Sequence, residues 1–462
     1  MTPLSAKIFK KYDIRGVAEG DNAVITPEVA QLLGQAFGTY LQRVEGKNTA
    51  VVGRDNRHSS FELAQAASTG LTASGCNVVD IGLVSTPLVY WHALHHDNCG
   101  GLMVTGSHLT PDQNGFKLSV GARNLYDEKI QMLRLFIERH ELAYGSGEIT
   151  EDETAYSHYT HDLENRINIT RPLKIVIDAG NGTGGLFAPT LLKHWGQNLL
   201  ECLYCEPDGR YPNHQPDPQQ PKNLQDLCAK VRETGADVGL AFDGDADRVG
   251  FVDEKGQIVV ADRALALLAQ DLLKRHPGAA VVADVLSSQV LFDAVAQAGG
   301  QPIMWISGHS LIKAKMAEIG ALLGGEMSGH IFMGEDYFGF DDAYFVAGRF
   351  LQLLAASDKP LSELDAALPR LYSTPEYRPH CPDEAKERVI AGVQAALTDK
   401  GEVVAVDGVR IRFEKGWGLL RASNTEPVLS LRFEGETEAD AHTYRDWFFN
   451  VLKAFPEVES LS

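Results

Sequence analysis

The sequence is short of three things. No apolar run approaches the length of a membrane span, and residues 1–11 lack the apolar core of a secretory signal, so the chain is expected to stay in the cytoplasm. Positive charge is scarce: 42 Lys and Arg stand against 62 Asp and Glu, a formal net charge of −20. That balance argues against nucleic-acid or acidic-membrane partners. It also requires that any anionic substrate be met by cations clustered locally. Cysteine is thin, six residues in 462. Cys202 and Cys205 form a lone C-x-x-C with no second pair and no histidine at finger spacing. A zinc site is therefore not expected, and both are expected to pack as small apolar residues in or near a strand.

What is present is a repeated unit. Residues 49–54 (TAVVGR), 173–178 (LKIVID) and 279–284 (AAVVAD) are short, apolar and β-branched. Each leads through a turn into a helical segment. Each helix closes near a glycine (Gly75, Gly196, Gly299) and is followed by a second strand-like run. This is one α/β unit repeated three times, with runs apolar enough to be buried on both faces of mixed or parallel sheets. A helix over 127–142 closes the first unit, with Ile130, Leu133, Phe136 and Ile137 at helical spacing. Residues 145–152 read as a linker, and a second boundary falls near 253–258. Five prolines between 360 and 382 mark a third boundary. Beyond it, residues 409–413 and 429–433 alternate with period two, and 437–455 reads as a closing helix. The expectation is three related α/β domains (1–150, 151–255 and 256–368) and a smaller C-terminal α+β domain (369–462).

Chemistry-bearing residues collect in loops at strand ends, where α/β folds keep their sites. Residues 103–117, MVTGSHLTPDQNGFK, carry Ser107 and His108 in a Gly/Pro/Asn-rich loop. Residues 243–248, DGDADR, follow a strand-like run and place Asp243, Asp245 and Asp247 at alternate positions beside Arg248. Three carboxylates there suit a hard divalent cation. An EF-hand is disfavoured, since its obligatory sixth-position glycine is Arg248 and a strand precedes the loop. Residues 180–185 fit G-x-G-x-x-G, with Glu201 near the position of a ribose-binding acid. A tight strand-to-helix turn is the better reading, because the other two repeats lack the motif. Ser307-Gly-His and residues 325–330, GEMSGH, offer sugar-hydroxyl partners in Glu326 and Ser328. Arg421, Ser423, Asn424 and Thr425, with Pro427 behind them, make a sound phosphate cradle. Arg15 sits in a glycine-ended turn after Tyr12.

Taken together, YDIRG, TGSH…P…NGFK, DAGNG, FDGDADR, GHSLIK, GEMSGH, FGFDD and RASNTEP, in that order over nearly the whole chain, resemble the α-D-phosphohexomutase family. The resemblance implies four domains around a central cleft, each contributing one loop. It implies exchange of phosphate between O1 and O6 of glucose or mannose through phosphorylated Ser107 and a hexose 1,6-bisphosphate. An amino-sugar mutase is the nearest alternative, and a dinucleotide-dependent oxidoreductase a remote one. By correspondence Ser107, Asp243, Asp245 and Asp247 hold Mg²⁺, and Glu326 and Ser328 recognise sugar hydroxyls. Arg421, Ser423, Asn424 and Thr425 bind the phosphate not being transferred. Tyr12, Arg15, Lys117, Arg248, Gly308, His309 and His330 line the cleft, with His108 beside the serine and Lys117 and His330 as proton-handling or charge-stabilising groups. Small sugar phosphates are the expected partners of a monomer or weak homo-oligomer. Two positions depart from the family: Leu109 replaces the usual Asn, and Leu286 a frequent basic residue. Neither can donate a hydrogen bond to phosphate.

Overall fold

The computed structural model describes residues 4–423 and 426–459, so Asn424 and Thr425 of the expected phosphate cradle lie outside the described residues. The repeated unit is present as three sheets built on one plan. In the first, Thr49–Arg54 is flanked by two parallel neighbours, Asn77–Leu83 and Gly100–Val104. The latter then pairs antiparallel with Gln113–Val120. In the second, Lys174–Asp178 lies between the parallel strands Asn198–Leu203 and Val238–Phe242, and the latter pairs antiparallel with Val249–Asp253. In the third, Ala280–Asp284 lies between the parallel strands Gln301–Trp305 and Leu323–Gly325. The C-terminal sheet, from Tyr372–Ser373 to Glu402–Val404 at its edges, is antiparallel throughout. Three α/β units and a smaller α+β unit are therefore what the chain forms.

Why these segments become these elements is local. Gly100–Val104, Val238–Phe242 and Val249–Asp253 are buried at every residue, as uninterrupted apolar strands covered on both faces must be. The helices that follow the first strands end where expected, at Gly75, Gly196 and Gly299, with φ of 98°, 70° and 80°. Only glycine takes that left-handed turn without a steric cost. The expected helix over 127–142 spans Glu128–Glu138 and buries Ile130, Leu133 and Ile137. Cys202 and Cys205 differ from expectation: they are joined as a disulfide, with Cα atoms 5.8 Å apart. The turn at Tyr204 (φ 52°) brings the two cysteines within bridging reach. Among the described residues, no helix is long and apolar enough to cross a membrane.

The chain divides into two compact units, Met1–Ala261 with Ser328–Glu363, and Asp262–Met327 with Leu364–Ser462. The second unit joins the third sheet to the C-terminal one. Its seam explains Leu286. That side chain packs, with Met304 and Val406, on an apolar cluster of Val285, Trp417 and Leu419. The backbone around it is held by two arginines of the C-terminal sheet. Arg410 Nη1 donates to the carbonyls of Val285 (2.6 Å) and Ser287 (2.7 Å), and Arg432 Nη1 donates to that of Leu286 (2.6 Å). Arg410 also lies 3.8 Å over the Trp417 ring. A leucine here serves packing. Replacing Arg410 by leucine strands two buried carbonyls, and the second unit is expected to lose about 3 kcal/mol. Urea unfolding followed by tryptophan fluorescence checks this, and a loss below about 0.5 kcal/mol would contradict it.

Candidate active site

The Ser107 loop lies at the carboxyl end of Gly100–Val104, a parallel strand, before the antiparallel return Gln113–Val120. Ser107 sits in the left-handed region (φ 49°), and its N–H donates to Thr105 Oγ1 at 2.8 Å. A non-glycine residue held there stays only if its surroundings impose it. The turn aims the hydroxyl at the aspartate loop: Ser107 Oγ donates to Asp243 Oδ2 at 2.8 Å and lies 3.2 Å from His108 Nδ1.

The aspartate loop occupies the same place in the second sheet, between Val238–Phe242 and Val249–Asp253. Asp243 Oδ1 accepts the N–H groups of Asp247 (3.1 Å) and Arg248 (3.2 Å), and Oδ2 accepts Arg248 Nε (3.1 Å) besides the serine. Asp245 Oδ2 accepts Lys117 Nζ (2.6 Å) and Thr86 Oγ1 (2.5 Å), and Asp247 Oδ2 also accepts Lys117 Nζ. All three aspartates are at most 1% exposed. Yet the second oxygen of Asp245 is buried without a hydrogen-bond partner, and that of Asp247 meets only the ring of His330, with Nε2 at 3.5 Å, among the described residues. Orphaned carboxylate oxygens of this kind are costly unless a cation completes them. Ligand atoms of the three residues lie within 4.8 Å of one another, so the donor set fits a hard, oxygen-seeking ion such as Mg²⁺. Ligand atoms of Asp247, His330 and Asp341 likewise lie within 4.8 Å of one another.

Charge sets the protonation states. Burial, reinforced by Asp247, pushes Asp243 up to about 7. Burial would raise Asp247 too, but Lys117 and His330 outweigh it and hold that carboxylate well below its usual range. Burial works against the Lys117 ammonium, yet Asp245 and Asp247 keep it charged well above the ordinary lysine value. As placed, Lys117 stabilises negative charge and has no free lone pair with which to take a proton. His108 is pushed well below its ordinary value by burial, then by Arg248 and Arg15, which leaves a neutral imidazole beside the serine at neutral pH. His330 Nε2 stands 3.5 Å from Asp247 Oδ1, and its Nδ1 is 2.8 Å from Ser328 Oγ. Arg248 Nη1 reaches the Ser328 carbonyl at 3.3 Å. Arg15, ion-paired with Asp13, lies on Ile14–Val17, which pairs with the strand carrying Lys117; Tyr12 precedes that strand and is half-buried. The first unit thus gathers Ser107, His108, Lys117, Arg15, the three aspartates, Arg248, Ser328 and His330.

The remaining expected residues belong to the second unit. Glu326 Oε1 accepts the Gly308 N–H at 2.6 Å, so the two expected loops touch. His309 opens the helix His309–Ile319 and is buried. Arg421 Nε and the Ser307 N–H both donate to Asp407 Oδ2, at 3.0 and 3.3 Å. Ser423 Oγ accepts the Glu426 N–H at 3.2 Å.

Sequence reasoning missed Thr86, Asp284 and Asp407. Thr86 holds Asp245 twice, by side chain and by its N–H to the Asp245 carbonyl at 2.9 Å. Asp284 ties the GEMSGH loop to the third sheet, accepting Ser307 Oγ (2.9 Å) and the Met327 N–H (3.2 Å). Burial, then Glu326, pushes Asp284 up to about 6. Only Asp284 had a signal, as the polar residue ending an apolar strand. The turn at 180–185 is closed by the protein itself: a Cβ on Gly182 would stand 2.7 Å from the Gly244 carbonyl, and one on Gly185 2.0 Å from that of Cys205. Those close approaches are what a tight strand-to-helix turn requires, the reading expected for this motif.

A serine hydroxyl against a buried triad of aspartates, with a lysine and an arginine among them, is a constellation for metal-assisted phosphoryl transfer. Models of the phosphoglucomutase/phosphomannomutase family match in four consecutive parts: α/β/α domain I at residues 6–141, domain II at 157–256, domain III at 261–372 and the C-terminal domain at 376–451. The chain is 45% identical to a phosphomannomutase/phosphoglucomutase of Pseudomonas aeruginosa over 452 residues, 98% of this chain and 96% of that protein. It is 42% identical to a phosphoglucomutase of Neisseria meningitidis over 463 residues, 99% of each. A crystal structure of a phosphoglucomutase/phosphomannomutase family protein from Burkholderia thailandensis superposes with a TM-score of 0.92 at 42% identity, covering 99% of both chains. The chain belongs to the phosphoglucomutase/phosphomannomutase family.

The raised Asp243 predicts the pH dependence of metal binding. A carboxyl with a value of about 7 is protonated below it and must release that proton to the metal. Apparent Mg²⁺ affinity is expected to fall toward tenfold per pH unit on the acid side, and titration calorimetry between about pH 6 and pH 8 should record proton release. A pH-independent affinity would contradict this. Thr86→Val is expected to weaken Mg²⁺ binding by about tenfold, since it removes a short hydrogen bond to Asp245, a carboxylate of the candidate donor set.

Proposed function

We propose that this chain interconverts hexose 1-phosphates and hexose 6-phosphates of glucose, mannose or both, with Ser107 as a phosphoserine and a hexose 1,6-bisphosphate as intermediate. The observation that carries the reading is the Ser107 hydroxyl held 2.8 Å from the carboxylate of a buried aspartate triad. In the first half-reaction the free hydroxyl of the substrate attacks the phosphoserine phosphorus. Its P–O bond forms as the bond to Ser107 Oγ breaks, its proton leaves to a base, and the serine oxygen recovers a proton. In the second half-reaction Ser107 takes phosphate back from the other end of the turned-over bisphosphate.

Each group has a part suited to its chemistry. Mg²⁺, held by Asp243, Asp245, Asp247 and a phosphoserine oxygen, would neutralise charge on the transferring phosphoryl group. Arg248 and the Lys117 ammonium add fixed positive charge at the same place. Lys117 therefore acts as the charge stabiliser, and His330 takes the role of base. Glu326 and Ser328 are read as the partners of adjacent sugar hydroxyls. Arg421, Ser423, Asn424 and Thr425 hold the other phosphate, and the carboxylate of Asp407 orients Arg421. Tyr12, Arg15, Gly308 and His309 complete the contacts. The protein is read as a cytoplasmic monomer or weak homo-oligomer.

Ser107→Ala is expected to lower kcat/KM for glucose 1-phosphate by about 10³-fold or more, with an unchanged circular dichroism spectrum. Full activity in that variant would remove the reading. Parallel turnover of glucose, mannose and glucosamine 1-phosphates should favour the first two. A preference for glucosamine 1-phosphate would make the chain an amino-sugar mutase.

A further inference from the structure

Beneath the Ser107 loop lies an arginine with no part in the chemistry above. Arg57 follows the strand Thr49–Arg54, and its side chain is wholly buried. Its guanidinium has five N–H groups, and five acceptors meet them. Nε donates to Asp55 Oδ2 at 3.2 Å. Nη1 donates to the carbonyls of Thr110 (2.5 Å) and Gln113 (3.0 Å), and Nη2 to those of Ser107 and Leu109 (2.8 Å each). Four of the five acceptors are backbone oxygens of the loop that carries the serine. The face of Tyr211 closes the guanidinium from the side, 5.0 Å away. Asp55 completes the clamp from the other end, since its Oδ2 also accepts the Gly106 N–H at 3.2 Å. Its Oδ1 is held by the Arg57 N–H (3.0 Å) and Ser60 Oγ (2.5 Å).

We infer that Arg57 is the positioning residue for phosphoryl transfer at Ser107. It fixes the loop's left-handed turn through the four backbone carbonyls it binds, while Asp55 balances its charge. Three observations point this way. First, Ser107 occupies a backbone conformation unfavourable to serine, and its own carbonyl is one of the four that Arg57 binds. Second, that carbonyl lies so near the aspartate loop that a Cβ on Gly244 would stand 2.3 Å from it, so a shift of the loop changes the approach of serine to metal ligands. Third, a loop whose serine gains roughly two negative charges in each cycle needs an anchor that does not move with them. A guanidinium saturated by carbonyls is such an anchor, and lysine, with three donors on one nitrogen, cannot replace a planar fork spanning four oxygens. Leu109 also finds its place here. Its carbonyl is one of the clamped four, so the loop is held by backbone at a position whose side chain cannot donate.

The inference rests on Ser107 being the phosphorylated residue, and the test separates the two. Phosphorylated parent protein and Arg57→Lys are compared by intact mass over time and by steady-state kinetics with a hexose 1-phosphate. In the parent, Ser107 should carry one phosphate. A parent that turns over with no phosphate on Ser107 would remove the underlying reading, whatever Arg57 does. Arg57→Lys should lower kcat by about 10²-fold, the scale of a small misplacement of a reacting group, while KM stays within about threefold. It should also lose its phosphate to water at least about tenfold faster: water attacks phosphorus, the P–Oγ bond breaks, the serine oxygen takes a proton and inorganic phosphate leaves. A kcat and a phosphoserine lifetime within about twofold of the parent, in a folded variant, would overturn the inference. Should Arg57→Lys fail to fold, Gly106→Ala takes its place. Its new Cβ would lie 2.5 Å from Arg57 Cζ and Nε, and it pushes the loop off the guanidinium without removing any charge. Gly106 is outside the left-handed region, so its own φ suits alanine, and the new Cβ would also press on the Gln113 carbonyl, 2.8 Å away, another of the oxygens that Arg57 binds. Parental kcat in Gly106→Ala would equally overturn the inference.

Discussion

A buried surplus of negative charge is the constraint from which the site follows. Three aspartates, almost wholly removed from water, share one six-residue loop, and the Lys117 ammonium and the Arg248 guanidinium bond directly to their carboxylates. With all three ionised the cluster is one charge negative, a state that burial makes expensive. It is relieved in part by protonation, which is why Asp243 is pushed up to about 7. A divalent cation bound there would turn the deficit of one negative charge into a surplus of one positive charge, suited to meeting a phosphate. The hydrogen bond from Ser107 to Asp243 joins the serine hydroxyl to that cluster.

The fold supplies that meeting by repetition. In each of the first two sheets a central strand has two parallel neighbours, and the second neighbour turns back into an antiparallel strand. The serine loop and the aspartate loop each occupy that turn. The GEMSGH loop likewise follows Leu323–Gly325, the corresponding parallel strand of the third sheet. Three copies of one supersecondary unit therefore offer three loops at the carboxyl ends of equivalent strands, and the chemistry differs only in what each loop carries. The second unit adds an antiparallel sheet whose arginines grip the backbone around Leu286, and whose Asp407 orients Arg421.

The sequence was legible where structure is written locally. Strands 49–54, 174–178 and 280–284 declare themselves as β-branched runs, the helix ends as glycines, and the functional loops as short strings of polar residues bounded by glycine and proline. It was opaque where a residue acts on something distant in the chain. Thr86 holds a carboxylate 159 positions away, and nothing around Ser85-Thr86-Pro87 suggests more than a helix start. Arg57 reads as one more surface arginine until its acceptors prove to be the carbonyls of residues 107–113. The C-x-x-C gave spacing, but the left-handed turn at Tyr204 that brings the two cysteines together is a property of the folded loop. Leu286 looked like a lost phosphate ligand and proved to be packing at a seam that only the assembled second unit reveals.

The central claim is that Ser107 is covalently charged and discharged by the substrate. The most direct measurement is a single turnover of dephosphorylated protein with glucose 1,6-bisphosphate labelled in both phosphates, quenched in acid and digested to locate the label. The account predicts label on Ser107 at a rate no slower than overall turnover. Label that never reaches Ser107 while sugar phosphates continue to interconvert would contradict it.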